Sequence, residues 1–415
     1  MTEAAIAPAA AGEPTLRSFD LADAELHASG DVHAIFRHLR DHEPLHWNPE
    51  RLEPAFWSVT RFDDCVRVLK DHGAFSSTQT NVLGVHRVFG DKGSGKMLNA
   101  TDGRRHTELR QLVNRHFTPR AVARLEPYLR GIVREALEPA IAAGACNLVD
   151  VVAMLPVAGI SSLLGIPRED WPLLLRLTST AFGSFDAELQ LTPDVRASAA
   201  QAHGVLLLYF RELVASTGAA ERSDVVGELA RAEARGALTD EESALFFDLL
   251  MLGGNETTRH GAVGGALALA ERPEQWRLLR ERRDLVDRAV QEVLRWTSPS
   301  RHVLRRATGD VELHGQTIRR GDDVVVWHVS ANRDERVFVR PDELWIDRPV
   351  FRHGAFGAGA HYCLGAALAT LELRVFFDEL AQRVVAIEPT APVERLPSTV
   401  ISGIKRAPVR LVPAN

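Results

Sequence analysis

Cys363 closes a glycine-rich run, Phe356-Gly357-Ala358-Gly359-Ala360-His361-Tyr362-Cys363-Leu364-Gly365, just where an apolar segment begins. Residues 364–384 read as a helix, which puts the sulfur at a helix N-terminus. Unpaired N–H groups and the positive end of the dipole favour a thiolate there. Glycine lets backbone amides approach that sulfur closely. A thiolate so placed suits a nucleophile, a zinc ligand or an iron ligand. The other cysteines, Cys65 and Cys146, lie far off in sequence. That spacing argues against a cysteine zinc cluster. It also argues against a disulfide framework and favours a reducing compartment.

A second pattern interrupts the longest helical segment. Residues 239–271 are nearly all apolar inside, open on a Thr239/Glu242 capping-box pattern and stop before Pro273. Their middle reads Gly253-Gly254-Asn255-Glu256-Thr257-Thr258. Two glycines cost about 2 kcal/mol of helix propensity relative to alanine, and an acid among hydroxyls is unfavourable to bury. One reading is functional: a ligand approaches the glycines while Glu256 and Thr257 pass protons. The other is close helix packing beside a solvent-facing patch.

Two further patterns are less specific. In 284–298, Glu292 borders an apolar stripe of Leu285, Ala289, Val293 and Trp296, and Arg295 follows one turn later. A carboxylate that near the core needs a cation, and arginine offers a bidentate fork, so this pair reads as structural. In 101–117, His106 and Arg110 share a helix face suited to a carboxylate or phosphate. Arg104, Arg105 and Arg115 make the neighbourhood positive, and a solvated basic face explains the same spacing.

The elements that position these groups are mostly helical. Residues 20–300 read as helix for the most part, with strand-like pieces at 55–60, 311–328 and 398–411. Residues 76–100 and 180–195 look irregular, as lids, binding loops and plain connections do. A chain of 415 residues, 45% hydrophobic, has material for a large core. No repeat or Gly/Ser/Pro-rich linker divides residues 20–415, so one domain over 16–415 is expected behind a disordered tail at 1–15. A formal net charge of −6 gives no reason to expect nucleic acid. The start lacks a basic, apolar leader and no run is long enough for a membrane span, so a cytoplasmic protein is expected.

Taken in order, these motifs resemble those of the cytochrome P450 family of haem-thiolate monooxygenases, in particular its soluble bacterial type. Phe356-Gly357-x-Gly359-x-His361-x-Cys363-x-Gly365 matches the family pattern at every fixed position. Gly254-x-Glu256-Thr257, Glu292-x-x-Arg295 and Ala331-Asn332-Arg333-Asp334 match weaker family motifs, and the resemblance runs over roughly residues 20–410. It implies a mainly α fold with small β-sheets, a triangular helical prism enclosing haem. It implies that Cys363 is the axial iron ligand, as thiolate ligation in this family would have it. His361, His106, Arg110 and Arg305 would then bind the haem propionates. Phe356 would pack beside the sulfur, with Gly357, Gly359 and Gly365 shaping the loop. Glu292, Arg295 and Arg348 would form a structural ion triad. Gly254 would leave room on the distal haem face, while Glu256 and Thr257 deliver protons for heterolytic O–O cleavage. Gly253 and Asn255 stand where the family more often has Ala and His, and both are expected to affect water near the iron.

The implied reaction inserts one atom of O2 into an organic substrate, by hydroxylation or epoxidation, on haem b. No flavin or iron–sulfur motif is found, so electrons are expected from a separate ferredoxin or flavodoxin and its reductase, with NAD(P)H used only indirectly. Arg104, Arg105 and Arg115 are the candidate docking face. Substrate contacts are expected from Val82, Leu83, Val85, Phe182, Phe185, Leu250, Gly253, Asn255, Val303, Leu304 and Ile401. Arg301 and His302 would anchor an acid or carbonyl, or face solvent. The favoured reading is a monomeric natural-product tailoring enzyme whose substrate is free or carrier-protein-tethered. Beside it stand a peroxide-driven haem peroxygenase and a non-catalytic haem protein that binds a small ligand. A cysteine hydrolase is disfavoured, because Cys363 and His361 lie two positions apart near a helix start.

Overall fold

The structure, a computed structural model, describes residues 19–29, 32–79, 81–83, 93–183, 186–215, 218–349 and 352–414. The tail expected at 1–15 lies outside them. Helices dominate. In chain order they are α1 (Ala24–Ser29), α2 (Val32–His42), α3 (Phe62–Lys70), α4 (Gly103–Val113), α5 (Glu126–Ala143), α6 (Leu148–Leu164) and α7 (Trp171–Gly183). There follow α8 (Val195–Ala215), α9 (Val225–Ala234), α10 (Asp240–Ala270), α11 (Pro273–Glu281), α12 (Val286–Thr297) and α13 (Ala366–Arg383). Single turns such as Pro119–Val122 and His328–Ala331 join them.

Helix α10 is the axle of the bundle. Thr239 accepts from the Glu242 N–H and the Glu242 carboxylate accepts from the Thr239 N–H, so the expected capping box is present. Helices α6, α7, α8, α12 and α13 all pack against it, and a helix apolar on most sides is a buried one. Glycines set how near these neighbours come. A Cβ on Gly254 would stand 3.0 Å from Ile160 of α6, and one on Gly265 would stand 2.5 Å from Val293 of α12.

The main sheet contains β1 (Leu45–Asn48), β2 (Phe56–Val59), β3 (Phe75–Ser76), β4 (His302–Ala307) and β5 (Asp323–Trp327), in the order β1-β2-β5-β4-β3. Strands β2 and β5 run parallel, and the other pairs are antiparallel. Sequence pattern missed β4, because His302, Arg305 and Arg306 disguise its alternation. Of the piece expected at 398–411, only Ile404–Arg406 and Pro408–Pro413 are strands. The latter pairs with Ala145–Asn147 and Val384–Pro389. The connection from α7 to α8 is tied to this C-terminal region by charge. Lys405 Nζ lies 2.8 Å from Asp186 and 2.9 Å from Glu188, and Arg406 also pairs with Glu188.

Glu292 is a buried junction. Arg295 donates to its two oxygens at 2.8 and 2.7 Å, Arg348 at 3.0 and 3.1 Å, and the Trp345 N–H at 2.9 Å. Carbonyls of Asn332, Pro341 and Glu343 take further donors of Arg295. The triad thus fastens α12 to the segment around residues 332–348, well inside the protein. No helix among the described residues is long and apolar enough to cross a membrane.

Candidate active site

A cavity of about 320 Å³ gathers most of the residues singled out in the sequence. Its wall includes Cys363, Phe356, Gly357, Gly365 and His361 from the cysteine loop, His106 and Arg110 from α4, and Arg305 from β4. Leu250, Gly253, Gly254, Thr257 and Val303 complete the predicted set. Such a volume is typical of a small-molecule site.

The cysteine loop closes on itself through a Cys363 N–H bond to the Phe356 carbonyl at 2.9 Å. Gly357 and Gly359 take φ of 70° and 73°, a region in which a side chain is strained. Gly359 also has a packing reason. A Cβ there would lie 2.7 Å from the Leu69 carbonyl oxygen of α3, and Gly359 is absent from the cavity wall. Gly359 thus lets the loop dock on α3. Burial pushes the Cys363 thiol above its ordinary value, while the Gly365 N–H and Arg110 pull it down. The helix start alone thus does not hold a thiolate here, because desolvation outweighs it. A cation bound to the sulfur would remove the proton outright.

One flank of the cavity is cationic and under-bonded. Arg305 is buried, which lowers its pKa to about 10, and it donates to the Leu304 carbonyl at 2.7 Å. Arg110 reaches the Ala360 carbonyl at 3.5 Å. The His106 and His361 rings stand 4.2 Å apart. Burial, with His361 and Arg110 nearby, lowers His106 to about 4, and its Nε2 has no partner. His361 Nε2 lies 3.0 Å from Asp102 and 3.3 Å from Ser77. Burial alone would raise the Asp102 carboxyl, but bonds from His361, Ser76 and the Ser77 N–H hold it below its ordinary value. Converging donors with unmet capacity make a seat for carboxylates. His361, bonded to Asp102, is not placed as a base for Cys363.

Helical geometry divides the polar insertion of α10 between two faces. Residues 250, 253, 254 and 257 fall within one arc and line the cavity, while 255, 256 and 259 fall on another. Thr257 lies in the wall and donates to the Gly253 carbonyl at 3.0 Å. Glu256 instead faces α7. It pairs with Arg259, accepts from Ser179 at 3.2 Å and has His260 Nε2 at 3.3 Å. Burial would raise this carboxyl, but Arg259, His260 and Ser179 together hold it below its ordinary value. Asn255 donates to Thr178 of α7 at 2.5 Å. Asn255, expected among the substrate contacts, is therefore corrected to a contact with α7, and Glu256 faces α7 as well.

Other substrate-facing assignments are corrected too. Neighbouring strand residues point to opposite faces, so Val303 lines the cavity while Leu304 joins Leu83, Phe36 and Trp327 in an apolar cluster. Val82, Phe182 and Ile401 lie outside the wall. Val85 and Phe185 lie outside the described residues. Arg301 and His302 are buried and face neither solvent nor the cavity. Arg301 donates to the carbonyls of Ile401 and His27, both at 3.0 Å. His302 bonds the Thr399 carbonyl at 2.8 Å and accepts from the Leu83 N–H at 3.0 Å. On the basic face, Arg104 pairs with Glu108, Arg105 with Glu242 and Arg115 with Glu228, so its charge is partly neutralised.

Several wall residues escaped the sequence reading: Asn99, His328 and Glu372. His328 is lowered to about 4 by burial, against a weak opposing pull from the Ser300 backbone. Neither of its ring nitrogens has a partner of good geometry. A signal for Glu372 was available, as an acid in the otherwise apolar stretch Leu371-Glu372-Leu373.

The chain's relatives agree with this geometry. The family profile described as "Cytochrome P450" matches residues 194–384. Cytochrome P450 NovI of Streptomyces niveus is 37% identical over 399 residues, covering 95% of this chain and 97% of that protein. Linalool 8-monooxygenase of Pseudomonas putida is 34% identical over 411 residues, covering 95% and 99% respectively. The crystal structure of OxyD, a P450 involved in the biosynthesis of vancomycin-type antibiotics, is similar with a TM-score of 0.87. It shares 34% identity and covers 96% of this chain and 100% of that one. Haem fits the residues present: a partly buried sulfur on the cavity wall for iron, and the orphaned His106 Nε2 beside two under-bonded guanidiniums for carboxylates. The protein belongs to the cytochrome P450 family and is a monooxygenase whose chemistry rests on haem iron and O2.

Proposed function

We propose that the enzyme uses haem b and oxygenates a natural product, with electrons from a separate ferredoxin or flavodoxin and its reductase. One observation carries the reading: Cys363 and the Gly253–Thr257 turn of α10 share a cavity with a cationic flank. When bound, the haem supplies oxygen activation, and everything else falls to the chain. Cys363 would ligate iron, and the Gly365 N–H would temper the sulfur's electron donation. His106, Arg110, Arg305 and His361 would hold the two carboxylates and fix the group's orientation. Gly253 leaves space beside the backbone, since a Cβ there would meet nothing within 4 Å. Thr257 Oγ1 would hold and pass a proton there. Leu98, Leu249, Leu250 and Val303 would exclude water and orient an apolar substrate body. Asn81, Asn99 and His328 offer the few polar contacts that set its pose.

The likeness to OxyD, with its part in antibiotic biosynthesis, supports a tailoring role on a free or carrier-tethered scaffold. Residues 16–415 would act as one catalytic unit, monomeric and cytoplasmic. The test is spectroscopic. The reduced, carbon-monoxide-treated protein should show the red-shifted Soret band of thiolate ligation, and Cys363→Ser should lack it. A folded, haem-loaded wild type without that band sinks the reading. Difference spectra against natural-product scaffolds then identify the substrate class.

A further inference from the structure

Helix α2 carries His38 and His42 one turn apart. Residues at i and i+4 share a helix face, and here the two imidazole rings stand with centroids 4.5 Å apart. This face is not the one that α2 buries. Val32, Ile35, Phe36 and Leu39 enter the apolar cluster with Leu304 and Trp327, whereas His38 is partly buried and His42 exposed. Most other solvent-reachable histidines are engaged: His46 with Glu43, His203 with Asp248, His314 with Asp64 and His361 with Asp102. Among the described residues neither His38 nor His42 has a hydrogen-bond or ion-pair partner, and each is the other's ring contact.

The setting favours a cation. His42 lies in the last turn of α2 and His38 one turn before it, where the helix dipole is negative. Guanidiniums on the same helix are neutralised: Arg37 pairs with Asp342, and Arg40 with Glu335 at 3.0 Å. Among the described residues no third histidine, cysteine or acid completes a cluster with the pair. Any ion there keeps water on its remaining positions, unlike the closed four-ligand sites that hold zinc structurally.

We propose that His38 and His42 form a surface site for a divalent transition metal, bound through two imidazole nitrogens and water. Imidazole suits copper, nickel and zinc, and affinity rises from nickel to copper in the general order. Once one ring holds the ion, the second binds intramolecularly, so the pair exceeds either ring alone. Occupancy pins the end of α2, whose apolar face supports β4 and β5 through Leu304 and Trp327. The ion therefore stabilises the folded protein by mass action. This site lies apart from the cavity and stands whether or not the haem-monooxygenase reading does.

Titration calorimetry of the untagged, haem-loaded protein with NiCl2 tests it. Haem-loaded protein is used so that the other closely spaced ring pair, His106 and His361, is engaged at the cavity. Wild type should bind one Ni2+ saturably. Affinity should fall about 10-fold or more in His38→Gln and in His42→Gln, and stay unchanged in His46→Gln, whose ring is bonded to Glu43. Without metal, both variants should melt with wild type, since neither substitution breaks a protein contact that bears on stability. With Ni2+ the melting temperature should rise in wild type and not in the two variants. Equal affinity in wild type and both variants overturns the proposal. So does weakening in only one of the two, which would mean a single-ring site, and so does the absence of saturable binding at millimolar nickel.

Discussion

Glu292→Gln removes the anion that two buried guanidiniums, Arg295 and Arg348, share. The expected loss is roughly 3–5 kcal/mol, read as a lower denaturant midpoint with haem retained at low denaturant. Asn255 gives the opposite kind of result. It touches α7 and not the cavity, so Asn255→Ala should cost about 1 kcal/mol of stability. Substrate-induced spectral shifts should be unchanged; an altered shift would return Asn255 to the pocket. Residue spacing singled out residues that the structure gathers, Cys363 and the cations on the cavity wall and the triad at Glu292, because each motif fixes types at set distances. It did not reveal orientation. Glu256 and Thr257 are adjacent in sequence, yet the 100° step of a helix sends one to α7 and the other to the cavity.

The cysteine loop works as a unit because Gly359 lets it touch α3. Gly359→Ala adds a Cβ at a φ of 73° and 2.7 Å from the Leu69 carbonyl oxygen. It should cost about 1–3 kcal/mol, and haem should dissociate faster to an apomyoglobin acceptor. Equal dissociation rates would show that the loop does not need this contact. Long helices were legible from periodicity and caps, as α10 with its Thr239/Glu242 box shows. Strand β4 was not, since its two faces serve different masters. Leu304 enters an apolar cluster, while Val303 and Arg305 both reach the cavity wall, so no simple alternation of apolar and charged residues survives.

At the scale of the molecule, burial of histidines makes stability depend on acidity. Burial lowers His27 to about 3, and His302, His328 and His353 to about 4, from an ordinary 6.5. The folded chain keeps these rings neutral where the unfolded chain has already taken up protons. Their contribution is complete above about pH 6.5 and is lost as the pH falls toward about 4, by up to ~1.4 kcal/mol per pH unit for each ring. Urea midpoints should therefore fall between about pH 7 and about pH 5, less steeply in His302→Gln. A flat profile would mean that the rings are hydrated in solution. Total burial of single histidines was beyond reach from sequence, because it depends on how distant segments such as 83, 302 and 399 meet.

The ties between Lys405, Arg406, Asp186 and Glu188 have a kinetic corollary. Any outward swing of the α7–α8 connection must pull two anions away from two cations, so thermal breathing there works against an electrostatic spring. Dissolved ions weaken such a spring by screening. The mobility of this corner of the enzyme is thus set partly by the ionic strength around it.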